Sequence, residues 1–152
     1  MNLTRVEAKA DFHFYTEGIS PLVANILERM DAERVEAAKA LGVTVLPAVN
    51  WLKKHYGSVG GDLYACIQST DAYREVLAPT DIDNRYIYED IMTGCVPVSC
   101  AARAVGAKTP IIDSAIQWAT AVYDYDFYNN GRSERLIDVE RLARDAKKSN
   151  NS

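Results

Sequence analysis

The stretch "NRYIYED", Asn84 to Asp90, gathers one guanidinium, two phenols and two adjacent carboxylates. The fork of Arg85 suits two-point contact with a carboxylate. If the segment is helical, Glu89 lies four residues on and shares the face of Arg85, so the two can form an ion pair. Glu89 and Asp90 also suit a helix N-terminus electrostatically. Spacing alone leaves two readings open, a paired cap and a binding site. The sequence that follows, "IMTGCVPVSCAARAVG", is small and apolar. Such a helix lets neighbouring backbones approach closely, and is expected to be central. A charged cluster at its head either pairs internally or faces a cleft.

The other reactive side chains form no recognisable constellation. His13 lies between Phe12 and Phe14, where packing is the simpler role, and His55 falls near the end of a short helix and suits its C-terminal dipole. In "YTEG", Tyr15 to Gly18, Glu17 favours the start of the helix that follows and Gly18 permits a close approach. "YGSVGG" is not a G-x-G-x-x-G turn after a strand, so a helix–helix turn is expected there rather than a phosphate cradle. Cys66, Cys95 and Cys100 have no zinc spacing and are expected as buried thiols in a reducing cytoplasm. No metal site and no catalytic residue is expected within the chain.

The elements that position these residues read as helices. Ser20 and Pro21 start the first long one, with Leu22, Val23, Ile26, Leu27 and Met30 at helical spacing, Glu33, Arg34 and Glu36 facing solvent, and Gly42 just past its end. Pro47 to Gly57, a segment from Asp62, and Ala72 to Leu77 are expected as further helices. "DFHFY", Asp11 to Tyr15, is strand or loop. Pro97 is a first-turn residue or a kink in the small-residue helix that Gly106 stops. Thr109 and Pro110 cap and open the next helix, and Ser133 caps a last amphipathic one. The pattern predicts an all-α bundle of about six or seven helices, with residues 1–145 as one domain and 146–152 as a frayed tail.

Composition narrows the class. The chain has 152 residues, 48% of them apolar, and a net charge of −4. A single globular domain fits, and the acidic balance argues against nucleic acid. No run is long enough to span a membrane.

Two blocks resemble the helical C-terminal domain of the octopine/nopaline (opine) dehydrogenase family. "FYTEGISPLVANILERMDAERVEAAKALGV", Phe14 to Val43, resembles the family's E-G-x-(S/T)-P entry into a long helix. "RYIYEDIMTGCVPVSCAARAVGAKTPIIDSAIQWA", Arg85 to Ala119, resembles its R-Y-x-x-E-D-(I/V)-P-x-G-L-V-P block and the G-x-x-T-P-x-(I/V)-D that follows. Met92 and Thr93 depart from it, standing where the family has proline and often an aromatic residue. The resemblance implies a bundle like the 6-phosphogluconate dehydrogenase C-terminal-like domain. It implies an NAD- or NADP-dependent reductive condensation of an α-keto acid with an amino acid. It places Arg85 at a substrate carboxylate; Glu89 and Asp90 are then expected to position that arginine and cap the helix, and Tyr15, Glu17, Thr109 and Asp113 to line the cleft wall. The family's Rossmann domain and its histidine are expected to lie outside this chain, ahead of Asn2. The chain alone is therefore expected to bind no cofactor, to be inactive, and to form a homodimer. The alternative is a free-standing helical module that serves only in assembly or ligand binding.

Overall fold

The computed structural model describes residues 1–149. Among them the only β-pairing is an isolated antiparallel bridge between His13 and Leu77. The helices are α1 (Leu3–Glu7), α2 (Pro21–Ala40), α3 (Ala48–Tyr56), α4 (Leu63–Ser69), α5 (Arg85–Glu89), α6 (Val96–Ala104), α7 (Pro110–Tyr123), α8 (Phe127–Asn130) and α9 (Val139–Ser149). The all-α expectation holds. There are more helices than expected because α1 and α8 are single short turns and because a π-helical turn, Asp90–Cys95, separates α5 from α6. The chain divides into two compact units, residues 1–31 with 46–84 and residues 32–45 with 85–152.

Helix α2 begins and ends as its sequence predicts. Ser20 Oγ accepts the Val23 N–H at 3.3 Å, and Pro21 gives up no bond there. At the far end Gly42 takes a φ of 74°, while the Val43 N–H reaches Ala38 O and the Gly42 N–H reaches Lys39 O. That closes the paired-carbonyl motif for which glycine is favoured. The apolar stripe is narrower than its spacing implies, because Leu22 and Ile26 are exposed.

The polar side of α2 caps other helices. Glu28 accepts the Leu63 N–H at the start of α4 at 2.6 Å, and Asp31 accepts the Ala48 N–H of α3 at 2.7 Å. Glu33 takes the Ile111 and Ile112 N–H groups of α7 at 2.8 and 2.9 Å. Glu33 is thus half-buried rather than solvent-facing. Thr109 makes no capping bond with its side chain, because the carboxylate of Glu33 already occupies the donors it would have served.

In the first unit Leu52, Leu63, Cys66 and Ile67 form the core, with Tyr15, Leu27 and Tyr73 packed around it. Of the expected Ala72 to Leu77 helix only Ala72 and Tyr73 are helical, within the single 3-10 turn Asp71–Tyr73. The chain then runs extended beside "DFHFY": the Phe14 N–H donates to Val76 O and the Ala78 N–H to Phe12 O. Pairing to another segment has outcompeted local helix propensity there.

In the second unit α6 is central, against α7, α9 and the π-turn, with Val96, Ser99, Cys100 and Ala102 buried. Asp138, not Ser133, caps α9, its carboxylate accepting the Arg141 N–H at 2.8 Å. The Ser133 hydroxyl is buried and has no protein partner. Helix α9 continues past residue 145 because Ala146 is buried; residues 150–152 of the expected tail lie outside the described residues.

Candidate functional site

Arg85 is exposed at the first position of α5, with its guanidinium carbon 5.7 Å from the Tyr86 ring centre. No ion pair joins it to Glu89 among the described residues, so the paired-cap reading of these two is not realised. Glu89 and Asp90 are exposed beside it. Partial desolvation, then the neighbouring Glu89 charge, hold the Asp90 carboxyl above the usual range. Burial, helped by Asp90, pushes the Cys95 thiol up to about 11. Burial likewise raises Cys100. Both thiols are therefore held toward the protonated form.

The π-turn behind Arg85 follows from Pro97. The Val96 N–H bonds to Ile91 O, five residues back. In an α-helix that N–H would serve Met92 O instead; in the wider turn the partner of Met92 O would be the nitrogen of Pro97, which has no hydrogen. The freed Met92 carbonyl accepts the Arg132 N–H at 2.9 Å. A Cβ on the adjacent Gly131 would lie 2.7 Å from Phe127 O and 3.0 Å from Met92 O, so only glycine permits this approach. One turn earlier, the Tyr88 ring packs against Tyr123, Tyr125 and Phe127 at centroid separations of 6.0, 5.6 and 5.3 Å.

Thr109 and Asp113 do come together. Asp113 Oδ1 accepts from Thr109 Oγ1 at 3.3 Å and from Ser99 Oγ at 2.5 Å. Their neighbourhood is a polar network that the sequence reading missed. Arg103 Nη2 donates to Ser99 Oγ at 3.3 Å and to the Tyr128 hydroxyl, which in turn donates to Glu134. The Cys100 thiol lies 3.0 Å from the Tyr128 hydroxyl and 3.1 Å from Glu134. An arginine four residues after a serine on an otherwise apolar helix was the available signal, since such a cation needs partners. The network borders an open groove of about 530 Å3 lined by Arg103, Asp113, Asp126 and Tyr128 among others, which offers both signs of charge.

The hydrogen bonds from Tyr128, then its own backbone N–H, hold the Glu134 carboxyl at about 2, below its ordinary 4.5. A depressed acid stabilises the fold above its unfolded value and loses that contribution as pH falls. The stability that the Tyr128–Glu134 contact contributes is therefore expected in full above pH 4.5 and is lost as pH falls through about 2. Thermal midpoints measured across that window are expected to fall more steeply for the native chain than for Glu134→Gln; parallel curves would contradict this.

In the first unit Tyr15 stacks on Tyr73 with ring centres 3.9 Å apart. The exposed Glu17 carboxylate accepts the His13 N–H at 2.6 Å and lies 2.9 Å from His13 Nδ1. The His13 backbone bond and then the ring hold the Glu17 carboxyl low. His13 is thus paired to a carboxylate rather than packed only among aromatics. Gly18 permits the tight turn there: a Cβ would lie 2.2 Å from Phe14 O.

The described residues hold no group of His, Cys, Asp and Glu able to bind a metal. A dinucleotide cradle needs a strand leading into a glycine turn. The described residues lack that unit, and Gly57 to Gly61 link two helices.

The fold is that of the helical part of an octopine dehydrogenase. A solved octopine dehydrogenase with NADH and L-arginine superposes with a TM-score of 0.67 at 25% identity, over 86% of this chain and 38% of its own. A second, with NADH and agmatine, gives 0.64 over 87% of this chain and 38% of its own; at 24% identity it supports the fold alone. The chain belongs to the NAD/NADP octopine/nopaline dehydrogenase family, whose alpha-helical domain matches residues 1–123. It is 38% identical to an opine dehydrogenase of Arthrobacter sp. strain 1C over 93% of its length and 40% of the relative's. It is 29% identical to a vitopine synthase of Allorhizobium ampelinum, over 79% of its length and 33% of the relative's. The chain thus spans about two-fifths or less of these relatives.

Proposed function

We propose that this chain is the substrate-binding helical domain of an NAD- or NADP-dependent opine dehydrogenase-type oxidoreductase. The reaction joins an α-keto acid to the amine of an amino acid and reduces the resulting imine. The family match over residues 1–123 carries the reading. Arg85 is the proposed anchor for a substrate carboxylate: it is exposed and makes no ion pair with Glu89. Glu89 and Asp90 shape the field around it, and Thr109 and Asp113 support the wall of the second unit. Tyr15 and Glu17 brace the first unit's entry into α2. A Rossmann domain, separate or contiguous, supplies the cofactor, so NADH, pyruvate and amino acids mixed with this chain alone are expected to give no loss of NADH absorbance.

Charge-assisted bidentate contacts contribute about 1.5–3 kcal/mol. Arg85→Met is therefore expected to weaken pyruvate binding roughly 10- to 150-fold. Nuclear magnetic resonance titration reads this, and unchanged affinity would remove Arg85 from the role.

Free thiols suit a cytoplasmic setting, and no described helix is long and apolar enough to cross a membrane. The exposed Leu22, Ile26 and Leu77 support association into a dimer. A monodisperse monomer in concentrated sedimentation runs would refute the dimer.

A further inference from the structure

Arg85 opens a helical run that meets a corner far along the chain. Residues 85–104 form one helical run whose front and rear parts are offset by the extra residue of the π-turn. Relaxing that turn to α-helix would rotate the front part by about 100° relative to the rear, since one residue is a 3.6th of a turn. Two contacts oppose this. The Arg132 N–H holds the Met92 carbonyl that Pro97 leaves without a partner, at a distance only Gly131 permits. The aromatic corner of Tyr123, Tyr125 and Phe127 receives Tyr88, three residues after Arg85, and so fixes the rotation of α5.

We infer that Gly131 and Arg132, with the aromatic corner before them, are positioning residues that set the orientation of the Arg85–Asp90 cluster for its ligand. Both residues meet Met92, beyond that cluster, and act through the wide turn. In an α-helical register Tyr88 would leave its ring contacts and Arg85 would point elsewhere. The functional half of this inference rests on Arg85 being a carboxylate anchor; the geometric half does not.

The test uses the 152-residue chain itself, with Gly131→Ala and a control, Leu52→Ala, which weakens the core of the first unit. Nuclear Overhauser contacts between Tyr88 and Phe127 read the register without ligand, and pyruvate titration followed at the Arg85 side chain reads its consequence. Gly131→Ala is expected to lose the Tyr88–Phe127 contacts and at least tenfold in pyruvate affinity while keeping its helical circular dichroism. Leu52→Ala is expected to keep native affinity despite an equal or larger drop in melting temperature. Retained Tyr88–Phe127 contacts in Gly131→Ala overturn the inference. If the native chain does not bind pyruvate, the anchor role fails, and the ring contacts still decide the positioning claim. If Gly131→Ala does not fold, Pro97→Ala decides, since it returns to Met92 a partner within the helix and crowds nothing. Faster exchange of the Arg132 amide together with weaker binding is expected; native protection and affinity overturn the claim.

Discussion

Phe127→Ala is expected to destabilise the second unit by about 3–5 kcal/mol, the range for emptying a well-packed aromatic site. Phe127 has no exposed surface, and its ring meets Tyr88, Tyr123 and Tyr125, with centroids 5.0–5.9 Å apart. Three surrounding rings are stiff and hydroxyl-bearing, so they collapse poorly into the space. Phe127 also opens α8, whose Asp126 cap holds the Asn129 N–H at 2.9 Å. Phe127→Leu keeps most of the volume and is expected to cost less than half as much. Urea unfolding followed by far-ultraviolet circular dichroism measures both. A loss below about 1 kcal/mol for the alanine variant would mean the corner is not the packed centre described.

Glu33→Ala is expected to cost about 2–3 kcal/mol, because it strips two charge-assisted bonds from donors at a helix start. Pro110 has no N–H and the Asp113 N–H already reaches Thr109 O, so Ile111 and Ile112 hold the donors that need an outside acceptor. Thr109 cannot substitute without abandoning Asp113. Glu33→Gln keeps one acceptor oxygen and is expected to lose roughly half as much, while Glu36→Ala, exposed on the same helix, is expected to be silent. Hydrogen exchange at the Ile111 and Ile112 amides localises the effect; unchanged protection there would contradict it.

Much of the fold was legible because its punctuation is local. Ser20–Pro21, Gly42, Gly57, Asp62 and Gly106 each mark an end by their own backbone or side-chain chemistry, and each does so in the structure. The failures share a cause. Glu33, Thr109 and the segment Ala72 to Leu77 were read from their immediate neighbours in sequence, and their partners lie elsewhere: on α7, on Asp113, or on "DFHFY"; Ser133, read as a cap, is buried and caps nothing. Arg85 was visible as an exposed cation, but its π-turn was not. Pro97 announces a disturbed ladder without saying which carbonyl is released or that Arg132 collects it.

The three acidic caps on α2 also set an order of events. They close chain segments of 17, 35 and 78 residues, for α3, α4 and α7 in turn. Loop-closure entropy grows with the logarithm of length, so the longest closure costs about 1.3 kcal/mol more than the shortest. Helices α3 and α4 are too short to persist alone, so their stability is expected to depend on α2. Loss of Asp31 is then expected to slow folding and loss of Glu33 chiefly to speed unfolding; equal partition of the two losses between the rates would contradict that order.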